Sequence, residues 1–180
     1  EAYAFRRFIE RSSAGSARQI QTLYGIDGRR RQDEYTLKNL GGYRGAEPVR
    51  VGNSAAAQTQ LDIFGEMLEL SWHWHRRGHA PGEDYWRFLV ELIDHVSEHW
   101  QQPDHGIWET RGAHRHYVHS KVMCWSALNR GLALAKDLQR DVPRRRWEAA
   151  REAVRAAIEE HGYDRGRGVY VQSFGAHYMD

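Results

Sequence analysis

Apolar side chains recur every three or four residues along most of this chain, and that spacing restricts it to a fold assembled from amphipathic helices. Ala57, Leu61, Phe64 and Leu68 share one face of a helix expected over residues 53–77, with Asn53 or Ser54 as its cap and Gly78 as its stop. A second helix is expected over 83–102, with Trp86, Leu89, Ile93, Val96 and Trp100 on its stripe and Pro103 ending it. A third runs from His119 or Ser120 to about Leu138 and carries Trp125, Leu128, Leu132 and Ala135. A fourth starts at Pro143, a residue favoured in a first helical turn, and buries Trp147, Ala150, Val154, Ala157 and Ile158 before Gly162 closes it. A shorter helix over 3–12 carries Tyr3, Phe5, Phe8 and Ile9. Residues 16–51, rich in Gly and Arg, are not helical, and 165–174 reads as extended, with Val169 and Val171 alternating.

Short and long connections alternate between these helices. The long ones span residues 15–52, 103–118 and 162–180. If consecutive helices pair antiparallel, loops recurring at every second helix emerge at one end of the bundle, where function tends to sit. No internal repeat, low-complexity segment or linker interrupts the chain, so residues 1–180 are expected to form a single domain. A hydrophobic share of 41% against 28% charged residues is globular stock. The net charge of +2, with no basic stripe along any helix, argues against a nucleic-acid partner. No apolar run approaches the roughly 20 residues of a membrane span. The one cysteine, Cys124, rules out an internal disulfide and fits a reducing cytosol, so a cytoplasmic location is expected. No signal peptide is visible, and a chain that starts at Glu1 without methionine is expected to lack its true N-terminus.

The long loops hold the unusual residues. In "PDHGIWETRG", 103–112, Trp108 stands directly beside Glu109. A carboxyl group against an indole is partly desolvated, which disfavours its charged form and suits it to act as a general acid. Glycoside hydrolysis uses such a group, together with a flat aromatic surface for the sugar ring. The competing reading buries Trp108 in the core and pairs Glu109 with Arg111. In "GYRGAEPVRVGNSAAAQ", 42–58, Arg50 and Asn53 can donate to hydroxyls; alternatively Asn53 is a simple helix cap. In "LYGIDGRRR", 23–31, Tyr24 and Asp27 are candidates to touch a polyol, while Gly25 and Gly28 mark turns. It is not a phosphate loop, since the Gly-Lys-Ser/Thr ending is absent, and Arg29 to Arg31 read as a solvated charge run. His73 and His75, two apart on a helix, cannot share an ion. His114, His116 and His119 could converge, but no carboxylate or thiol joins them at metal-ligand spacing. No metal and no cofactor is therefore expected. There is no Gly-x-Ser-x-Gly elbow, and Cys124, inside a helix beside Trp125, is expected to be buried and inert.

Four stretches together carry a resemblance: "LYGIDGRR" (23–30), "LGGYRGAEPVRVGNSAAAQTQLDIFGEML" (40–68), "PDHGIWETRGAHRHYVHSKVMCWSALNRGLALA" (103–135) and "SFGAHYMD" (173–180). In that order and at those spacings the chain resembles glycoside hydrolase family 15, the glucoamylase-like family that also includes bacterial trehalases. The resemblance implies an all-α fold, part of an (α/α)6 barrel in which this chain supplies helical hairpins amounting to about half of the toroid. It implies hydrolysis of α-glucosidic bonds with inversion, acting on a small α-glucoside such as trehalose or on an α-glucan. Glu109, the Glu of the Trp-Glu pair, takes the place of the general acid. Trp108 and Arg111 resemble residues flanking it in the cleft. Arg50, Asn53, Tyr24 and Lys121 fall in segments that line the sugar site.

The resemblance also implies what residues 1–180 lack. The family's general base comes from a later loop, beyond Asp180, and an upstream segment gripping the non-reducing glucose lies before Glu1. The chain is thus expected to be an incomplete catalytic domain, with the acid but not the base, and to be inactive alone. Open barrel sides would expose apolar surface and favour self-association. A non-catalytic carbohydrate-binding or helical interaction module derived from the family is the alternative.

Overall fold

The computed structural model describes residues 2–13, 20–30 and 33–180. They form two compact units, one within residues 1–59 and one over Gln60–Asp180. In the first unit, helix α1 covers Ala2–Ser13. Its Phe8 and Ile9 are half-buried, whereas Tyr3 and Phe5 stay exposed. The other described residues of this unit are largely irregular. A two-residue ladder pairs β1 (Tyr35–Thr36) with β2 (Arg50–Val51), Tyr35 opposite Val51. A 3-10 turn at Ser54–Ala57 follows, capped by the Asn53 side chain, whose oxygen accepts from the Ala55 N–H at 2.9 Å. The Thr22 hydroxyl donates to the Ala55 carbonyl at 2.6 Å and fastens the 20–30 segment to that turn.

The single helix expected over 53–77 is therefore interrupted. The turn ends at Ala57, Gln58 is extended, and helix α2 begins at Asp62. Asn53 caps only that short turn. The N–H of Leu61, just before α2, is instead taken by the side chain of Asp104. A carboxylate from another part of the chain thus sets where α2 starts, and apolar periodicity does not reveal it.

The second unit is four helices and a hairpin. Helices α2 (Asp62–His75), α3 (Glu83–His99), α4 (Val118–Asp137) and α5 (Arg144–Ala157) occur in the expected order. Gly78 ends the first of these, and Pro143 stands just before the last. α5 runs into a π turn, Ile158–Gly162, and then into the antiparallel strands β3 (Tyr163–Asp164) and β4 (Val169–Tyr170). Leu68, Leu89, Leu92, Ile93, Val96, Leu128, Leu134, Trp147 and Val154 are fully buried and join the helices in one core.

α4 lies at the centre, packed by α2, α3 and α5. Ser120, Cys124, Ser126, Ala127 and Gly131 are among its buried residues, so small side chains let its neighbours approach. The approach of α2 is closest at Gly65, where a Cβ would come within 2.5 Å of the Met123 carbonyl oxygen. Alanine is the better helix former by about 1 kcal/mol. A backbone oxygen cannot move aside as a side chain does, however, so steric conflict outweighs propensity. Gly65→Ala is expected to lower stability by about 1–3 kcal/mol, read from urea unfolding. A stabilised variant would show that the two helices slide apart freely.

Polar cross-links fix the same helices. Glu69 on α2 accepts from the Ser126 hydroxyl and, at 2.9 and 3.0 Å, from Nε of Arg130, both on α4. Burial alone would raise this carboxyl; the Ser126 hydroxyl and the Arg130 guanidinium outweigh it and hold Glu69 below its ordinary value. A depressed folded value adds stability above the usual carboxylate range, and that stability is lost as pH falls through the folded value. Glu69→Gln is accordingly expected to be less stable than the parent at neutral pH. The gap should close as pH is lowered through the carboxylate range, as thermal unfolding at several pH values would show.

Candidate active site

The loop that follows α3 is held at both of its feet. At the first, Lys121 on α4 is 0% exposed and donates from Nζ to the carbonyls of Trp100 at 2.6 Å and Gln102 at 2.5 Å. These are orphan acceptors at a helix end, and the ammonium satisfies both. Lys121, a sugar-site candidate from the sequence, thus directs two of its donors to the end of α3. Burial lowers its pKa. Two residues on, Asp104 pairs its backbone with Arg115, N–H to carbonyl in both directions at 2.9 Å. That pair closes residues 104–115 into a compact loop. Asp104 is 0% exposed, and its Oδ2 accepts the Leu61 N–H at 2.9 Å.

Glu109 sits at the far side of this loop with φ +51°, and its N–H donates to the Gly106 carbonyl at 3.2 Å. Its side chain is half-buried. Gly106, itself at φ +69°, lies against the Tyr117 ring, where a Cβ would come within 2.7 Å. The Thr110 hydroxyl donates to the His105 carbonyl at 3.0 Å and lies 3.0 Å from Tyr117 Oη, which leaves the tyrosine as donor in that second bond. Trp108 is 68% exposed and donates from Nε1 to Asp180 at 2.6 Å. The reading that buries Trp108 in the core is thereby excluded. Arg111 is exposed on the same loop.

The segment after β4 lies against this loop. Val118 N–H donates to Gln172 at 2.9 Å, Phe174 N–H to His116 at 3.0 Å, and the Arg115 guanidinium to Tyr178 Oη at 2.5 Å. Loops two helices apart in sequence thus meet at the start of α4, as an antiparallel arrangement requires.

Buried polar groups crowd beneath. Asp62, Asp104, Ser120 and Lys121 all lie inside the protein, and His119 Nδ1 is 3.7 Å from Asp62 Oδ2. Burial pushes the Asp62 carboxyl up, His119 opposes that, and the charge of Asp104 adds to it. His116 is pushed down, first by burial and then by Lys121. The Cys124 thiol, wholly buried, is pushed up to about 12 and is no nucleophile. Sequence reasoning missed Asp62 and Asp104. One reads as a first-turn acid and the other as part of a Pro-Asp turn, and neither pattern signals burial. The imidazoles of His105 and His114 meet at 3.1 Å, but among the described residues no cluster of three or more His, Cys, Asp or Glu is placed to hold a metal ion.

The other candidates belong to the first unit. There a cleft of about 510 Å³ is lined by Gln21, Arg30, Asp33, Glu34, Asn53, Ser54, Ala56 and Ala57. Asn53 reaches it while capping its turn. Arg50 pairs through Nε with Glu34 of the same cleft at 3.3 Å. Tyr24 Oη accepts the Gln21 N–H at 2.9 Å. Asp27 serves its own turn: hydrogen bonding to the Arg29 backbone and side chain holds its carboxyl low.

Helices α2, α3 and α5 packed round α4, with a pinned loop presenting an acid beside an exposed indole, define an all-α protein. The chain belongs to the glycosyl hydrolases family 15, whose model matches residues 1–180. Its helical hairpins accord with a fragment of that family's (α/α)6 barrel. The chain is 38% identical over 179 residues to the trehalase of Mycobacterium tuberculosis, covering 99% of this chain and 26% of the relative. It is 32% identical over 162 residues to the trehalase of Thermoplasma volcanium, covering 90% and 26%. With trehalase 1 of Sulfolobus acidocaldarius it shares 40% identity over 113 residues, covering 62% and 20%. The chain therefore spans about a quarter of the length of the curated relatives it matches. No solved structure matches it significantly. No helix of the described residues is long and apolar enough to cross a membrane.

Proposed function

We propose that this chain is part of an inverting α-glucoside hydrolase, a trehalase or a glucoamylase-like enzyme, with Glu109 as general acid. The observation that carries the proposal is the placement of Glu109, half-buried on a closed loop beside the exposed indole of Trp108. The relatives named trehalase favour trehalose among the α-glucosides.

Glu109 gives its proton to the glycosidic oxygen as the bond from that oxygen to the anomeric carbon breaks. A second carboxylate, supplied from outside residues 1–180, takes a proton from a water that attacks the opposite face of the ring, and β-glucose leaves. The two carboxyl groups stand about 6.5–9.5 Å apart in such enzymes, which leaves room for the water. Trp108 offers a flat face to the sugar, and Arg111 a guanidinium to its hydroxyls. Asn53, which lines the cleft of the first unit, and Arg50 and Tyr24 of the same unit are further candidates to bind substrate. The sole cysteine fits a reducing compartment, and we place the protein in the cytoplasm. The exposed side chains of Tyr3, Phe5 and Val122 are surface through which copies would associate.

The test is to express the complete open reading frame that contains residues 1–180 and to screen trehalose, maltose, isomaltose and dextran for glucose release, with the first-formed anomer followed by NMR. Release of β-glucose from at least one of them is expected. Release of the α anomer would overturn the inverting mechanism. Sugar binding by calorimetry with no release from any substrate would favour a non-catalytic module.

A further inference from the structure

We propose that Asp104 is a positioning residue for Glu109. Its buried carboxylate, anchored to the start of α2, sets where the loop presents the acid. The inference rests on the reading of Glu109 as general acid.

At Asp104 the loop's closure and the helix scaffold coincide. Through its backbone it makes both hydrogen bonds that close the loop against Arg115, and through Oδ2 it holds the Leu61 N–H at 2.9 Å. Between those two feet, Glu109 occupies a left-handed conformation, φ +51°, which a side chain adopts only when its surroundings impose it. The Gly106 carbonyl, the Thr110 hydroxyl and the Tyr117 ring impose it from inside the loop. The Thr110–Tyr117 contact reaches across the closing pair and depends on the loop being shut. A buried carboxylate is an expensive way to cap a helix, since it must be desolvated, and here it lies near Asp62, which is buried as well. Lys121, buried beside it, offsets that charge while holding the residues just before the loop. An apolar side chain could fill the same space at less cost. What the carboxylate supplies is an acceptor of fixed reach, rooted on α2, from which a rigid loop can hang.

The experiment compares Asp104→Ala with Asp104→Asn, which keeps an acceptor oxygen in a side chain of the same shape. In Asp104→Ala the Glu109 and Arg115 amides are expected to exchange with solvent at least about tenfold faster, with the Leu128 and Val154 amides unchanged. Asp104→Asn should restore both to within about threefold of the parent. In hydrolysis by the complete open reading frame, Asp104→Ala should lower kcat by about 100-fold with KM held within about threefold, as a misplaced catalytic group does. Asp104→Asn should recover most of that loss. Should Asp104→Ala fail to fold, Asp104→Ser, whose hydroxyl is too short to reach Leu61, takes its place with the same expectations. Unchanged exchange at Glu109, or a kcat that falls only with the folded fraction, overturns the proposal. If the parent releases no glucose at all, the hydrolase reading fails by itself, and the exchange rates still decide whether Asp104 orders the loop.

Discussion

Replacing Glu109 by Gln is expected to cut glucose release by about 10²–10⁴-fold while leaving the unfolding curve in place. Gln matches Glu in size, makes the same backbone hydrogen bond to Gly106 and bears the same conformational burden at φ +51°, so the loop backbone is expected to keep its shape. What Gln cannot do is give up a proton. The loss should therefore depend on the leaving group. A glucosyl fluoride, whose fluoride departs without protonation, should be hydrolysed far less slowly by the variant than trehalose is. An equal loss on both substrates would mean that Glu109 holds the sugar rather than protonating it. Near-normal rates on trehalose would end its assignment altogether.

Trp147→Ala carries the largest expected effect on stability, about 3–5 kcal/mol. The indole is 0% exposed on α5, and its Nε1 donates to Asp94 of α3 at 2.7 Å. Truncation removes the ring, opens a cavity between helices and deprives Asp94 of its partly buried donor. For a chain of this size each kcal/mol moves the melting temperature by about 2–4 °C, so a fall of roughly 6–20 °C is expected by calorimetry. Trp147→Phe separates the contributions, since it fills most of the space but cannot reach Asp94. Its cost should be smaller, about 1–3 kcal/mol, and should shrink when Asp94 is replaced as well. A loss below 1 kcal/mol for the alanine variant would show that α5 is not part of the cooperative core.

The helices of the second unit were legible because their apolar spacing has nowhere else to go. Leu89, Ile93 and Val96 in α3, and Trp147 and Val154 in α5, lie where a 3.6-residue period puts them. The alternation of Val169 and Val171 marked an extended stretch over 165–174, of which Val169–Tyr170 forms β4, while its pairing with β3 carried no signal. The helix expected from Asn53 failed for a reason outside its own residues. A run such as Ser-Ala-Ala-Ala-Gln favours helix locally, but the acceptor that starts α2 belongs to Asp104, more than forty positions away in sequence. The structural duty of Lys121 carried no mark in the sequence. Lysine is ordinarily read as a surface or ligand-binding group, and only the tertiary fold shows that two carbonyls at the end of α3 await it. Trp108 and Glu109 stood out because an indole and an acid in a short loop have few ordinary uses. The buried carboxylates beneath them carried no such mark.

One last consequence concerns Cys124. A thiol sealed in the centre of α4, with its titration pushed up to about 12, is silent toward alkylating reagents as long as the bundle stays shut. It becomes reactive only when the helices part. Because the sequence contains no other sulfhydryl, the rate at which iodoacetamide consumes this one is a clock for whole-core opening, carried by the unlabelled protein itself.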